Sequence, residues 1–139
     1  TLSVLSHSIP AGARIVRQLG EIPRFSCLGG MLAQVLYNLL RNAIQSREEA
    51  LEITISTSWT GTEFVLKVAD NGPGIAPEIR SRIFEPFFTT REVGAGTGLG
   101  LAVVYEVVTG WGGRITVDES SSGGASFVLK MPARNNLDD

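Results

Sequence analysis

Apolar residues recur along the chain with two clear periods. Leu32, Val35, Leu36, Leu39, Leu40 and Ala43 return at intervals of three and four, the spacing that lines one face of an α-helix. An amphipathic helix is therefore predicted over residues 31–46, opened by Gly29-Gly30. Ile53, Ile55 and Thr57 alternate with polar neighbours, and Phe64, Leu66 and Val68 do the same beyond Thr60-Gly61-Thr62. Both runs read as strands, antiparallel and joined by a short turn. Upstream, the β-rich runs 13–19 and 22–26 flank Gly20 and read as a hairpin or a sheet edge. Downstream, Asp70-Asn71-Gly72-Pro73-Gly74 halts the second strand, and a short helix is expected over 77–83. Residues 99–108 are almost wholly apolar and read as a buried helix. Gly112-Gly113 and Gly123-Gly124 release the chain into a last strand pair, 114–117 and 125–131, ended by Pro132.

The order β-β-α-β-β-α-α-β-β predicts an α/β two-layer sandwich, with helices on one face of a mixed, mostly antiparallel sheet. Residues 13–132 form the expected domain. Residues 1–12, broken by Pro10 and Gly12, read as a linker or the trimmed end of something longer, and 133–139 as a polar tail.

Composition narrows the chemistry. The chain has 139 residues, 43% hydrophobic and 19% charged, enough to bury one core and too apolar for a disordered segment. Its net charge of −2 supplies no basic excess for nucleic-acid binding by counterion release. No apolar run reaches the roughly 18 residues that span a bilayer. Cys27 and His7 are the single cysteine and histidine, which excludes an internal disulfide and most zinc sites. Lys67 and Lys130 are the two lysines and neither follows glycine, so no Walker-A loop exists. His-Arg-Asp and Asp-Phe-Gly are also missing, against the Ser/Thr/Tyr kinase pattern.

Four segments carry candidate chemistry. Asn38 and Asn42 lie four apart, so a helix projects both amides from one face. They could be ordinary surface residues, or oxygen donors to a hydrated magnesium ion, which takes one or two protein ligands beside substrate phosphates. Asp70 stands at the end of a buried strand, where a carboxylate needs donors. The exocyclic amine of adenine is such a donor, while guanine presents a carbonyl there. Gly72 and Gly74 would let the backbone pass close to a flat base. Gly94-Ala95-Gly96-Thr97-Gly98-Leu99-Gly100 precedes a helix, where free N–H groups and the helix dipole can cradle an anion. Ahead of it, Phe84, Phe87 and Phe88 are expected to anchor a mobile cover over residues 89–98.

The order of these segments is more specific than any one of them. Asn-Leu-Leu-Arg-Asn-Ala (38–43), Asp-Asn-Gly-Pro-Gly-Ile (70–75), Phe-Glu-Pro-Phe-Phe-Thr-Thr (84–90) and Gly-Thr-Gly-Leu-Gly-Leu (96–101) resemble the N, G1, F and G2 boxes of sensor histidine kinases. The resemblance covers residues 13–132 and extends to the superfamily of DNA gyrase, mismatch-repair ATPases and heat-shock chaperones. It implies the Bergerat ATP-binding fold and a cytoplasmic catalytic domain that binds ATP and Mg2+.

The same resemblance implies a role for each matching position. Asn42 would hold the metal, and Asp70 would read the adenine amine between Gly72 and Gly74, with Ile75 beside them. Phe88, Thr89, Thr90, Arg91, Gly96, Thr97, Gly98, Leu99 and Gly100 would contact the nucleotide from the cover. Asn38 and Arg91 are the expected catalytic residues. Asn38 stands where the ATP-hydrolysing relatives carry a Glu that activates water, and an amide has no such basicity. That substitution suits phosphoryl transfer to a histidine rather than hydrolysis.

The implied partners are a dimerisation domain of the same parent chain, carrying the acceptor histidine, and a response regulator. The parent would be a homodimer and the isolated domain a monomer, with no contact to nucleic acid or membrane. His7 is not the expected acceptor, because Ser8 follows it where an acid usually stands. Three positions depart from the family pattern. Gly30 replaces an Asp in Gly-Asp, Gln45 a phosphate-side Lys, and Ala125 a Thr of the last strand.

Overall fold

The computed structural model describes residues 14–19, 29–46, 50–86, 100–121 and 123–132. Five strands, β1 (Arg14–Leu19), β2 (Glu52–Trp59), β3 (Glu63–Asp70), β4 (Arg114–Glu119) and β5 (Ala125–Pro132), form one sheet in the order β1-β2-β3-β5-β4. Three neighbouring pairs are antiparallel and β1–β2 is parallel. The mixed, mostly antiparallel sandwich expected from the pattern is thus the observed one.

A parallel pair cannot be closed by a tight turn, and helix α1 (Gly29–Ser46) makes the crossover between β1 and β2. Among the described residues β1 stands at the edge of the sheet, and the hairpin reading rests on residues that are not described. The run at 22–26 lies outside the described residues.

Register explains which residues make the core. Ile55 pairs with Val68, Val68 with Phe127, and Phe127 with Val117, so each row across the sheet puts like residues on one face. That face meets Val35, Leu39, Leu40 and Ala43 of α1, all buried, and Val104 and Val108 of helix α2 (Gly100–Gly110). Thr54, Ser56, Lys67, Thr116 and Asp118 fall on alternate positions of the opposite face. Trp111 closes the far end of α2: it is buried, and its indole N–H donates to the Pro132 carbonyl at 3.1 Å.

Two expectations need correction. The helix expected at 99–108 is present but is not buried all round: Ala102, Val104 and Val108 are buried, whereas Tyr105 is 46% exposed. Apolar composition does not say how far each face of a helix is covered, and at Tyr105 the surface of α2 is left partly open. The helix expected at 77–83 is a 3-10 turn, Pro77–Ile79, followed by further turns. Its bonds run i to i+3, from Ile79 N–H to Ala76, Arg82 N–H to Ile79 and Glu85 N–H to Arg82. This tighter path buries Ile83 and seats Phe84 against Phe127, ring centroids 6.3 Å apart, and Tyr105, 5.7 Å apart. Phe84 is thereby anchored as expected, while Phe87 and Phe88 lie outside the described residues.

Candidate functional site

The site is built around the last residue of the central strand. Asp70 pairs with Ile53 across the sheet and shares the helix-facing side with Phe64, Leu66 and Val68. It is only 3% exposed. Burial pushes its carboxyl above the ordinary value of 3.8, and two backbone donors oppose that shift. Gly72 N–H donates to Oδ1 at 2.8 Å and Ala125 N–H to the same oxygen at 3.2 Å.

One donor comes from the loop that follows Asp70, the other from the turn between β4 and β5. That turn docks directly on the strand end. Ser120 N–H donates to the Gly124 carbonyl at 2.7 Å, and Gly123 N–H to the Ser120 carbonyl at 3.0 Å. The Ser120 hydroxyl donates to the Asp70 carbonyl at 2.6 Å and accepts from Gly124 N–H at 3.0 Å. The approach is so close that a Cβ on Gly124 would overlap the Asp70 carbonyl oxygen and Oδ1. Gly74 is held in a left-handed conformation, φ +77°, where a Cβ would lie 3.1 Å from the Gly123 carbonyl oxygen.

The loop is fixed from its other side as well. Asn71 accepts from Glu52 N–H at 2.8 Å and donates to the Ala50 carbonyl at 2.9 Å, so its amide continues the strand pairing in side-chain form. Arg80 donates from Nε to the Ile75 carbonyl at 3.1 Å and reaches Asp118 at 3.4 Å. Ile75 itself packs half-buried against the core.

The second cluster joins the two helices. Asn38 and Asn42 are both half-buried on α1, one turn apart, and Val35, Leu39 and Ala43 turn towards the core. Gly100, the first residue of α2, lies against Asn38: a Cβ there would stand 3.7 Å from Asn38 Oδ1. Asp70, Gly72, Gly74 and Ile75 therefore form one described cluster, and Asn38, Asn42 and Gly100 the other. Phe88, Thr89, Thr90, Arg91, Gly96, Thr97, Gly98 and Leu99 lie outside the described residues. Sequence reasoning missed Ser120 and Asn71 as supports, and took Gly124 as a turn residue only. The Ser-Ser-Ser-Gly-Gly run signals a turn, but not what the turn leans on.

Residues 29–135 match the profile of the family described as histidine kinase-, DNA gyrase B-, and HSP90-like ATPase. The chain belongs to this ATPase family. The match leaves out β1, although β1 is paired with β2 in the same sheet. Sensor protein RstB of Escherichia coli (strain K12) is 40% identical over 112 residues, which are 77% of this chain and 25% of that protein. The chain thus spans about a quarter of that relative. The catalytic domain of histidine kinase ThkA superposes with a TM-score of 0.85 at 29% identity, covering 96% of this chain and 88% of that domain. Full-length ShkA, solved in complex with AMPPNP, gives 0.81 at 33% identity, over 96% of this chain and 28% of that one. A further ThkA structure, at 27% identity and a TM-score of 0.80, holds the response regulator TrrA and matches 95% of this chain and 38% of that one. The two-layer fold of this domain is accordingly that of histidine kinase catalytic domains.

Burial of Asp70 makes a prediction about pH. Asp70→Asn keeps an oxygen for both backbone donors and removes the buried charge. Because the folded pKa lies above 3.8, the stability of the wild type relative to the mutant is greatest below 3.8 and falls as pH rises through the folded pKa. Chemical denaturation of the nucleotide-free wild type and Asp70→Asn across that range should show the gap opening in this sense, then levelling. A gap that ignores pH, or opens the other way, would contradict the burial argument.

Proposed function

We propose that residues 13–132 are the ATP-binding catalytic domain of a sensor histidine kinase. In this reading the domain binds Mg-ATP and passes the γ-phosphoryl group to a histidine on a dimerisation domain of a longer parent chain, for relay to a response regulator. The observation that carries it is Asp70, a carboxylate buried at a strand end and held by backbone donors from two directions. Such a group suits one more donor of defined direction, and the adenine amine supplies it. Family membership, the AMPPNP complex of ShkA and the ThkA–TrrA complex support the same reading.

Within it, Asp70 reads the base, and Gly72 and Gly74 keep the loop thin beside it, with Ile75 lending apolar surface. Asn42 offers an amide oxygen, a hard donor of the type magnesium accepts, and Asn38 lies one turn before it on α1, against Gly100 at the start of α2. Bound magnesium would supply neutralisation of charge on the β- and γ-phosphates. Asn38 orients without taking a proton from water, since an amide is no base near neutral pH. Phe88, Thr89, Thr90, Arg91, Gly96, Thr97, Gly98, Leu99 and Gly100 form the phosphate-side cover, Arg91 contributing positive charge. In the transfer, the bond between the γ-phosphorus and the β–γ bridging oxygen breaks, an N–P bond forms at the imidazole, and ADP leaves. Phosphoryl transfer rests on positioning more than on covalent help from the protein, which the two clusters on rigid elements can provide. Among the described residues no helix is long and apolar enough to cross a membrane.

Three measurements test this function. Calorimetry should show ATP bound in preference to GTP, with Asp70→Asn weakening ATP by about 1–3 kcal/mol, the cost of an unmatched buried polar group; equal ATP affinity in the two proteins would remove Asp70 from the base site. Asn42→Ala should weaken Mg-ATP far more than metal-free ATP, and an equal loss in both titrations would exclude Asn42 as the ligand. With γ-labelled ATP, acid-labile label should appear on the histidine of an added dimerisation domain and not on His7; label on this chain, abolished by His7→Ala, would overturn the division of labour.

A further inference from the structure

We infer that Ser120 is a positioning residue for base recognition, acting through Asp70 although it lies on a different hairpin. The inference rests on the proposed adenine-reading role of Asp70 and adds how that carboxylate is aimed. Ser120 and Asp70 are 50 positions apart in sequence, yet the hydroxyl donates to the Asp70 carbonyl at 2.6 Å. The same oxygen accepts from Gly124 N–H at 3.0 Å, and the next amide, Ala125 N–H, donates to Asp70 Oδ1 at 3.2 Å. One hydroxyl therefore ties the backbone of Asp70 to the backbone that grips its carboxylate. The link is buried, with Ser120 7% and Asp70 3% exposed, so water does not compete with it as it does for a surface serine.

Each piece depends on the others. Gly124 has no Cβ to hold the two backbones apart, and a side chain there would meet Asp70 itself. Serine is small enough for the turn, and its hydroxyl donates once while accepting once, which are the two roles it fills. Alanine at 120 would leave the Asp70 carbonyl and the Gly124 amide without this partner and let the turn move relative to the strand. The Ala125 donor would then no longer fix the rotation of the carboxylate, and directional recognition of an amine would suffer before general nucleotide binding does. Ala125 supplies this contact from its backbone, so the family's usual Thr at that position is not needed for it.

The experiment compares ATP with purine riboside triphosphate, which lacks the exocyclic amine, on wild type, Ser120→Ala and Asp70→Asn. Wild type should prefer ATP. Ser120→Ala should lose about five- to tenfold in ATP affinity, the scale of one buried hydrogen bond, and little for the deamino analogue. In the Asp70→Asn background the Ser120→Ala change should add almost nothing. Equal losses for both nucleotides would make Ser120 a structural residue only and overturn the inference. If wild type does not distinguish the two nucleotides, the adenine-reading role of Asp70 falls first, a different failure. Should Ser120→Ala not fold, Ser120→Cys keeps the side-chain shape with a larger atom and a weak donor, and its preference for ATP should lie between that of wild type and none; an undiminished preference would count against the inference.

Discussion

A carboxylate taken out of water at the end of a central strand has to be met by donors, and the arrangement of this domain follows from how Asp70 is met. The strand cannot supply them, because its own amides are committed to the β2 and β5 ladders. Donors arrive instead from the loop at Gly72 and the turn at Ala125. Two segments far apart in sequence must therefore close on the same oxygen. Glycines at 74 and 124 permit that approach, and Asn71 and Arg80 secure the loop against the β2 end and β4.

The sandwich provides the frame for this closure. With β3 in the middle of five strands, its end is flanked by the start of β2 and the start of β5, so both neighbours can reach Asp70. The helices complete the other half of the site. α1 presents Asn38 and Asn42 from one side while Leu39, Leu40 and Ala43 bind it to the sheet, and α2 begins beside Asn38. Asn38 and Asn42 are thus mounted on a helix whose other face is core, and Asp70 on the core side of a central strand, which limits their freedom.

Much of the frame was legible in the sequence because it follows from local periods. The i, i+3, i+4 series of α1 and the alternation of Ile53, Ile55, Phe64, Leu66 and Val68 each have one structural solution. Asp70 was legible because an acid next to a run of buried residues demands an explanation. The parallel partner of β1 was not, since period two identifies a strand but not its neighbour or direction. The exposure of Tyr105 was missed because a helix of apolar residues carries no mark of which side is left partly open to solvent. Ser120 and Gly124 were missed for a deeper reason: their roles exist only through contact with a residue some 50 positions away, and a short run of serines and glycines describes any turn.

The most direct test is a crystal structure of this domain with a non-hydrolysable ATP analogue. The account predicts the exocyclic amine of adenine within hydrogen-bond distance of the Asp70 carboxylate, with Ser120 still bonded to the Asp70 carbonyl. An adenine ring bound away from Asp70, or seated there with the amine turned towards another group, would contradict it.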